Sequence, residues 1–313
     1  MKKSIQKVLM AAFVLAATLM LAPSVDAKAY GITQINPAKD SITVTWTAEP
    51  DATNYKVYVG ESYSDAVLYA VLPATATQYT ISGLPAGCEK YVAVKYTYQS
   101  SSGNTYEYNV GSDYDLRTVP AKVTGVKQEK WWYFIKQFDV IWDDVESADS
   151  YEWIVYNNSG KKLKSGTATG NRFTYSKKVS NTMVYKVKVR AKSTICGKTY
   201  TTPWSSYGYF FTQPRVKSVK ATNGKLTIKW DKISGATGYE VFVSTKKTTG
   251  YKKVKTVSKS KSSVTIKKFK SSKIKKSKKY YVFVKAIKKV GSRKYTSGKL
   301  YYWNSKNSSY GYF

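Results

Sequence analysis

The chain has 313 residues, 52 Lys or Arg against 19 Asp or Glu, and no His, for a net charge of +33. Without His there is no His-dependent nucleophilic triad, no His metal ligand, and none of the commonest general acid–base residue. The two Cys, Cys88 and Cys196, fall in different thirds of the chain, so no third holds a disulfide of its own and each must stand on its core.

Residues 1–27 read as a cleaved signal peptide. Lys2, Lys3 and Lys7 give a positive start, an apolar run follows from Val8 to Ala22, Pro23 breaks it, and Val25-Asp26-Ala27 offers a small-residue cleavage site. As a helix the run spans roughly 22 Å at about 1.5 Å per residue, short of the roughly 30 Å hydrocarbon core. No second apolar run follows, so no transmembrane segment is expected in the mature chain, which reads as secreted.

From residue 28 a repeat takes over. ITVTWTAEPDATNYKVYV stands at 42–59, FDVIWDDVESADSYEWIV at 138–155 and LTIKWDKISGATGYEVFV at 226–243. All three share one frame, in which alternating apolar residues lead to Trp, five residues precede Ala, two more precede Tyr, and alternation resumes. The frame residues are Trp46, Ala52 and Tyr55, then Trp142, Ala148 and Tyr151, then Trp230, Ala236 and Tyr239. Period-two alternation predicts half-buried strands on both sides of a turn. Within 28–118, LPATA at 72–76 resembles a wall-sorting motif but lies between predicted strands and is read as a loop. Within 119–213, Asp143, Asp144 and Glu146 are read as a solvated turn rather than a paired-carboxylate site. Tyr185-x-Val-x-Val-x-Ala recurs as Tyr280-x-Val-x-Val-x-Ala; in the first copy Tyr91 is nearest, with Val92 and Val94 out of phase. Cys88 lies before a predicted strand and Cys196 in a predicted hairpin turn, so both thiols are expected free.

Many short strands with turns predict an all-β architecture of packed sheets. The residues resemble fibronectin type III domains. The Trp and Tyr of the frame match that family's second and third strands, and Tyr185 and Tyr280 match its Tyr at the bend before the sixth strand. The resemblance implies three tandem immunoglobulin-like β-sandwiches, at 28–118, 119–213 and 214–303, with an aromatic tail at 304–313. It implies that Trp46, Tyr55, Trp142, Tyr151, Trp230, Tyr239, Tyr185 and Tyr280 are structural core.

Charge is the strongest feature that such a fold does not require. Segment 28–118 carries 6 basic and 9 acidic residues, 119–213 carries 15 and 7, and 214–313 carries 28 and 2. The candidate polyanion-binding residues are Lys267, Lys268, Lys270, Lys273, Lys275, Lys276, Lys278 and Lys279, with Lys288 and Lys289 on a later edge. Tyr281 and Phe283 alternate with Val282 and Val284 and are expected to point away from the core. No catalytic constellation, metal site or cofactor motif is found. The expected function is non-catalytic extracellular binding or adhesion, with the basic third domain holding anionic cell-wall or extracellular polymers, glycans among them, and no intracellular nucleic acid. The alternative is an accessory carbohydrate-binding or spacer protein of an extracellular polysaccharide-degrading system.

Overall fold

The computed structural model describes residues 31–132, 136–176, 179–306 and 308–313. The apolar segment read as an export signal lies outside the described residues. Among the described residues no helix is long and apolar enough to cross a membrane.

The first sandwich comprises β1 (Thr33–Ile35), β2 (Ser41–Thr45), β3 (Asn54–Gly60), β4 (Val67–Pro73), β5 (Gln78–Ser82), β6 (Glu89–Gln99) and β7 (Thr105–Arg117). One sheet runs β1-β2-β5, the other β4-β3-β6-β7. The second comprises β8 (Lys127–Trp132), β9 (Gln137–Ile141), β10 (Ser150–Tyr156), β11 (Lys162–Ala168), β12 (Arg172–Tyr175), β13 (Tyr185–Ile195), β14 (Lys198–Thr201) and β15 (Gly208–Phe210). Its sheets are β12-β9-β8 and β11-β10-β13-β14, with β15 also on β13. The third comprises β16 (Val216–Thr222), β17 (Lys225–Trp230), β18 (Gly238–Ser244), β19 (Lys252–Ser258), β20 (Ser263–Ile266), β21 (Lys268–Phe269), β22 (Ser272–Lys273), β23 (Tyr281–Val290), β24 (Arg293–Thr296), β25 (Tyr301–Asn304) and β26 (Ser309–Tyr312). Its sheets are β16-β17-β20 and β19-β18-β23-β25-β26, with β24 on β23 and a small β21-β22 ladder. The segment set apart from sequence as a tail thus contributes β26, paired along β25 from Tyr301↔Tyr312 to Asn304↔Ser309. Contacts gather the chain into two compact units, one ending at Val119 and including Ile195–Lys198, the other holding Pro120–Thr194 and Thr199–Phe313.

The frame has a mechanical reason. Trp46, Trp142 and Trp230 are buried, and each packs on its Tyr with ring centroids 5.4, 5.2 and 5.6 Å apart. Each Tyr then reaches back over the turn. The Tyr55 hydroxyl accepts from Glu49 N at 2.7 Å, Tyr151 from Val145 N at 2.8 Å, and Tyr239 from Ile233 N at 2.9 Å. The turn closes on itself, with Ala52 N, Ala148 N and Ala236 N donating to Glu49 O, Val145 O and Ile233 O. A fixed Trp-to-Tyr spacing is what one hydroxyl length and one turn geometry demand. Any insertion would leave a buried N–H without its acceptor.

The out-of-phase Tyr91 is resolved by register. Val59 pairs with Val92, as Val155 pairs with Val187 and Val243 with Val282. The position matching Tyr185 and Tyr280 is therefore Lys90, and Tyr91 faces the other way, against Tyr63 at 5.9 Å and Tyr114 at 4.8 Å. Tyr185 and Tyr280 each accept a backbone N–H from five residues upstream, Ser180 at 2.6 Å and Lys275 at 3.2 Å. In the first sandwich the bend is tied by the buried Thr118, whose hydroxyl accepts from Cys88 N at 3.0 Å and donates to Pro85 O at 2.9 Å.

Phe283 does face away from the core between the sheets, but it is only 3% exposed. Phe242 stacks on it at 4.6 Å, and Tyr251 and Phe313 close over it at 4.9 and 5.4 Å. Strand alternation assigns a side chain to a face; what covers that face is a long-range matter. Cys88 is buried and Cys196 exposed, and both are free. Cys196 and Gly197 form the two-residue turn between β13 and β14, both with positive φ, 51° and 72°.

Candidate functional site

The lysine-rich segment 267–279 is held by three buried side chains, Phe269, Ile274 and Tyr280, while its eight lysines are exposed. Its backbone is tied to the domain. Ile274 N donates to Lys267 O at 3.1 Å, Gly224 N to Ile274 O at 2.8 Å, and Lys276 N to Asn223 Oδ1 at 3.1 Å. Lys275 N donates to the Tyr280 hydroxyl. The ammonium groups therefore project from a fixed frame.

Among the described residues none of the eight lysines is in an ion pair. The two acids of segment 214–313 are already engaged elsewhere. Asp231 meets Arg215 at 2.7 Å and Lys217 at 2.8 Å. Glu240 meets Lys253 at 3.1 Å and Lys294 at 2.8 Å. Burial works against both carboxylates, but the hydrogen bonds from their lysine and arginine partners prevail and hold them below the usual range.

Lys288 and Lys289 do not join this cluster. They lie eight and nine residues along the strand from Tyr280, about 26 to 30 Å at roughly 3.3 Å per residue. Lys288 is half-buried, 5.9 Å from the Tyr209 ring. Burial, then Lys186 and Lys259, hold its ammonium below the usual lysine range.

Three features escaped the sequence reading. The first is a row on β13, where Lys186, Lys188, Arg190 and Lys192 alternate with buried Tyr185, Val187, Val189 and Ala191. Lys186 and Lys188 lie over Tyr207 at 5.2 and 4.5 Å, and Arg190 over Trp204 at 4.4 Å. The period-two cations were the available signal. The second is a cleft of about 430 Å³ in the third sandwich, lined by Tyr301, Trp303, Tyr310 and Tyr312 with Arg215 and Lys217. The third is the engagement of the turn acids. Asp143 accepts from the Thr124 hydroxyl at 2.7 Å, and Asp144 from the Tyr151 hydroxyl at 2.6 Å. Burial, then Asp144, pushes Tyr151 up to about 12. Among the described residues no group of three His, Cys, Asp or Glu side chains could hold a metal ion.

In each sandwich a three-stranded sheet faces a sheet in which the strand after the frame's turn lies beside the long strand after the bend, β3 by β6, β10 by β13 and β18 by β23, so the chain is a set of fibronectin type III-like β-sandwiches. No family model matches the chain, and no curated protein does. Solved structures similar to it are fibronectin type III arrays. The chicken CNTN1 FN1–FN3 segment is 15% identical, with 85% of this chain and 96% of that one covered and a TM-score of 0.33. A two-domain segment of chicken tenascin is 16% identical, with 58% and 97% covered and a TM-score of 0.31. The central array of RIM-binding protein is 17% identical, with 85% and 93% covered and a TM-score of 0.26.

Proposed function

We propose that this is a non-catalytic extracellular binding protein whose third sandwich holds anionic polymers at or near the cell surface. The observation that carries the reading is the segment 267–279, with eight exposed lysines on a tied backbone and no acid to neutralise them. A merely solubilising coat mixes both signs; here the uncompensated charge repels itself and lowers the stability of the compact domain. Lysine supplies point charge rather than the planar fork of arginine. Recognition therefore follows charge density, through many weak contacts made together.

The test is retention of the full chain on heparin, teichoic acid and a neutral glucan at two salt concentrations. Replacing Lys273, Lys275, Lys276 and Lys278 with Gln is expected to lower the eluting salt on both polyanions without lowering the melting temperature. Unchanged elution by this variant would falsify the assignment. The aromatic cleft of Trp303 and Tyr310 favours a second reading, stacking on neutral glycan; retention on the glucan that ignores salt would support it instead.

A further inference from the structure

A cleft of about 580 Å³ lies between the second and third sandwiches, within the unit they share. Lys122 and Lys127 line it from the second sandwich and Arg293 and Lys294 from the β23–β24 hairpin, with Tyr207 and Tyr295 on its walls. More cations stand close behind. Lys186 and Lys188 lie over Tyr207, and Lys288 lies by Tyr209, which packs on Tyr295 at 4.9 Å.

The opposing charge is small. Asp143 is held by the hydroxyl of Thr124, a lining residue, and Glu240 engages Lys294. Lys122, Lys127 and Arg293 are in no ion pair among the described residues. Burial first, and then the charges of Lys186 and Lys259, hold the nearby Lys288 ammonium below the usual lysine range. A cleft with walls of one sign focuses its field on a counter-ion, and clefts between domains are common ligand sites of about this volume.

We propose that this cleft binds a single sugar unit bearing a tetrahedral oxyanion, a sulfate or a phosphate ester. Lysine and arginine groups entering from two sandwiches surround an anion from several directions, which suits a tetrahedral group better than a planar carboxylate. Tyr207 and Tyr295, half-buried on the cleft wall, would lie beside the sugar. The site extends the polyanion reading but does not rest on segment 267–279, which lies at the other end of β23. A long polymer would meet both places; a short one would need only the cleft.

The experiment titrates the full chain with a sulfated heparin disaccharide, glucose 6-phosphate and a galacturonate disaccharide, following heat of binding. One saturable site is expected for the first or second, which identifies the ester, and weaker binding for the third. The double variant Lys122→Gln/Arg293→Gln should lower affinity about tenfold or more, as loss of charge-assisted contacts predicts, with unchanged melting. Asp143→Asn should tighten binding. The variant with four glutamines in segment 267–279 should bind the disaccharide within about twofold of the parent while losing long heparin. The inference is overturned if neither ester binds saturably, if galacturonate binds best, if the double variant binds as the parent does, or if the four-glutamine variant alone abolishes disaccharide binding. If long heparin is retained equally by the four-glutamine variant while the disaccharide still needs Lys122 and Arg293, the polyanion segment fails and the cleft stands.

Discussion

A single hydroxyl explains why the repeat keeps its spacing. Tyr151→Phe and Tyr239→Phe each leave the packing intact but strip the acceptor from a buried backbone N–H, a change costing about 1–3 kcal/mol. Trp142→Ala and Trp230→Ala should cost more, about 3–5 kcal/mol each. Denaturant unfolding resolves the two classes; equal effects of Tyr→Phe and Trp→Ala would contradict the hydroxyl's assigned role. Tyr151 also makes a pH prediction. Its folded pKa, about 12, lies above the ordinary 10.0, so the native state holds the proton where the unfolded state has lost it. That contribution is complete below pH about 10 and is lost as pH rises to about 12. Stability of the second sandwich should fall across that window more steeply in the parent than in Tyr151→Phe. Parallel pH profiles for the two proteins would refute this.

At the level of elements, the same edge strand differs in its protection. β11 and β19 carry exposed lysines, Lys162 and Lys164 in one and Lys252, Lys253 and Lys255 in the other. β4, VLYAVLP, carries no charge at all, and Val67, Leu68, Tyr69 and Val71 are 65, 49, 45 and 58% exposed. An apolar unpaired edge invites pairing with another strand, which lysine on the edge discourages. Val71→Lys is expected to reduce concentration-dependent light scattering while leaving the melting temperature nearly unchanged, because Val71 packs on little. Scattering that is the same in both proteins would place the association elsewhere.

For the whole molecule, charge is graded along the chain, from a net acidic first repeat to 28 basic against 2 acidic residues in segment 214–313. Like charges repel within the third sandwich, and salt with a Debye length of about 8 Å at physiological strength screens them. Calorimetry should therefore show one transition that rises with added salt, and further with heparin, while the acidic first sandwich responds little. The four-glutamine variant should shift the salt-sensitive transition upward at low salt. A transition indifferent to salt would mean that the lysines are too mobile and too well solvated to repel. Quantitative thiol labelling of denatured, unreduced protein should find both Cys88 and Cys196 reactive, and a value near zero would reveal a disulfide.

The sequence by itself determined what depends on nearest neighbours along the chain. The alternation around Trp46, Trp142 and Trp230 assigns strands and faces, because successive side chains of a strand point to opposite sides. The equal Trp-to-Tyr spacing marks the repeat, because each turn is spanned by one tyrosine. The lysines of 267–279 were visible because they are contiguous. Tertiary structure alone decided what depends on partners far along the chain. Register across β3 and β6 placed Lys90, not Tyr91, at the bend. Phe313, thirty residues away, helped to bury Phe283. The pairing of Asp231 and Glu240 with other cations left the 267–279 lysines uncompensated, and the length of β23 separated them from Lys288. The cleft of Lys122, Lys127 and Arg293 joins side chains more than 160 positions apart, and no local pattern encodes such a meeting, since it is set by how two cores pack.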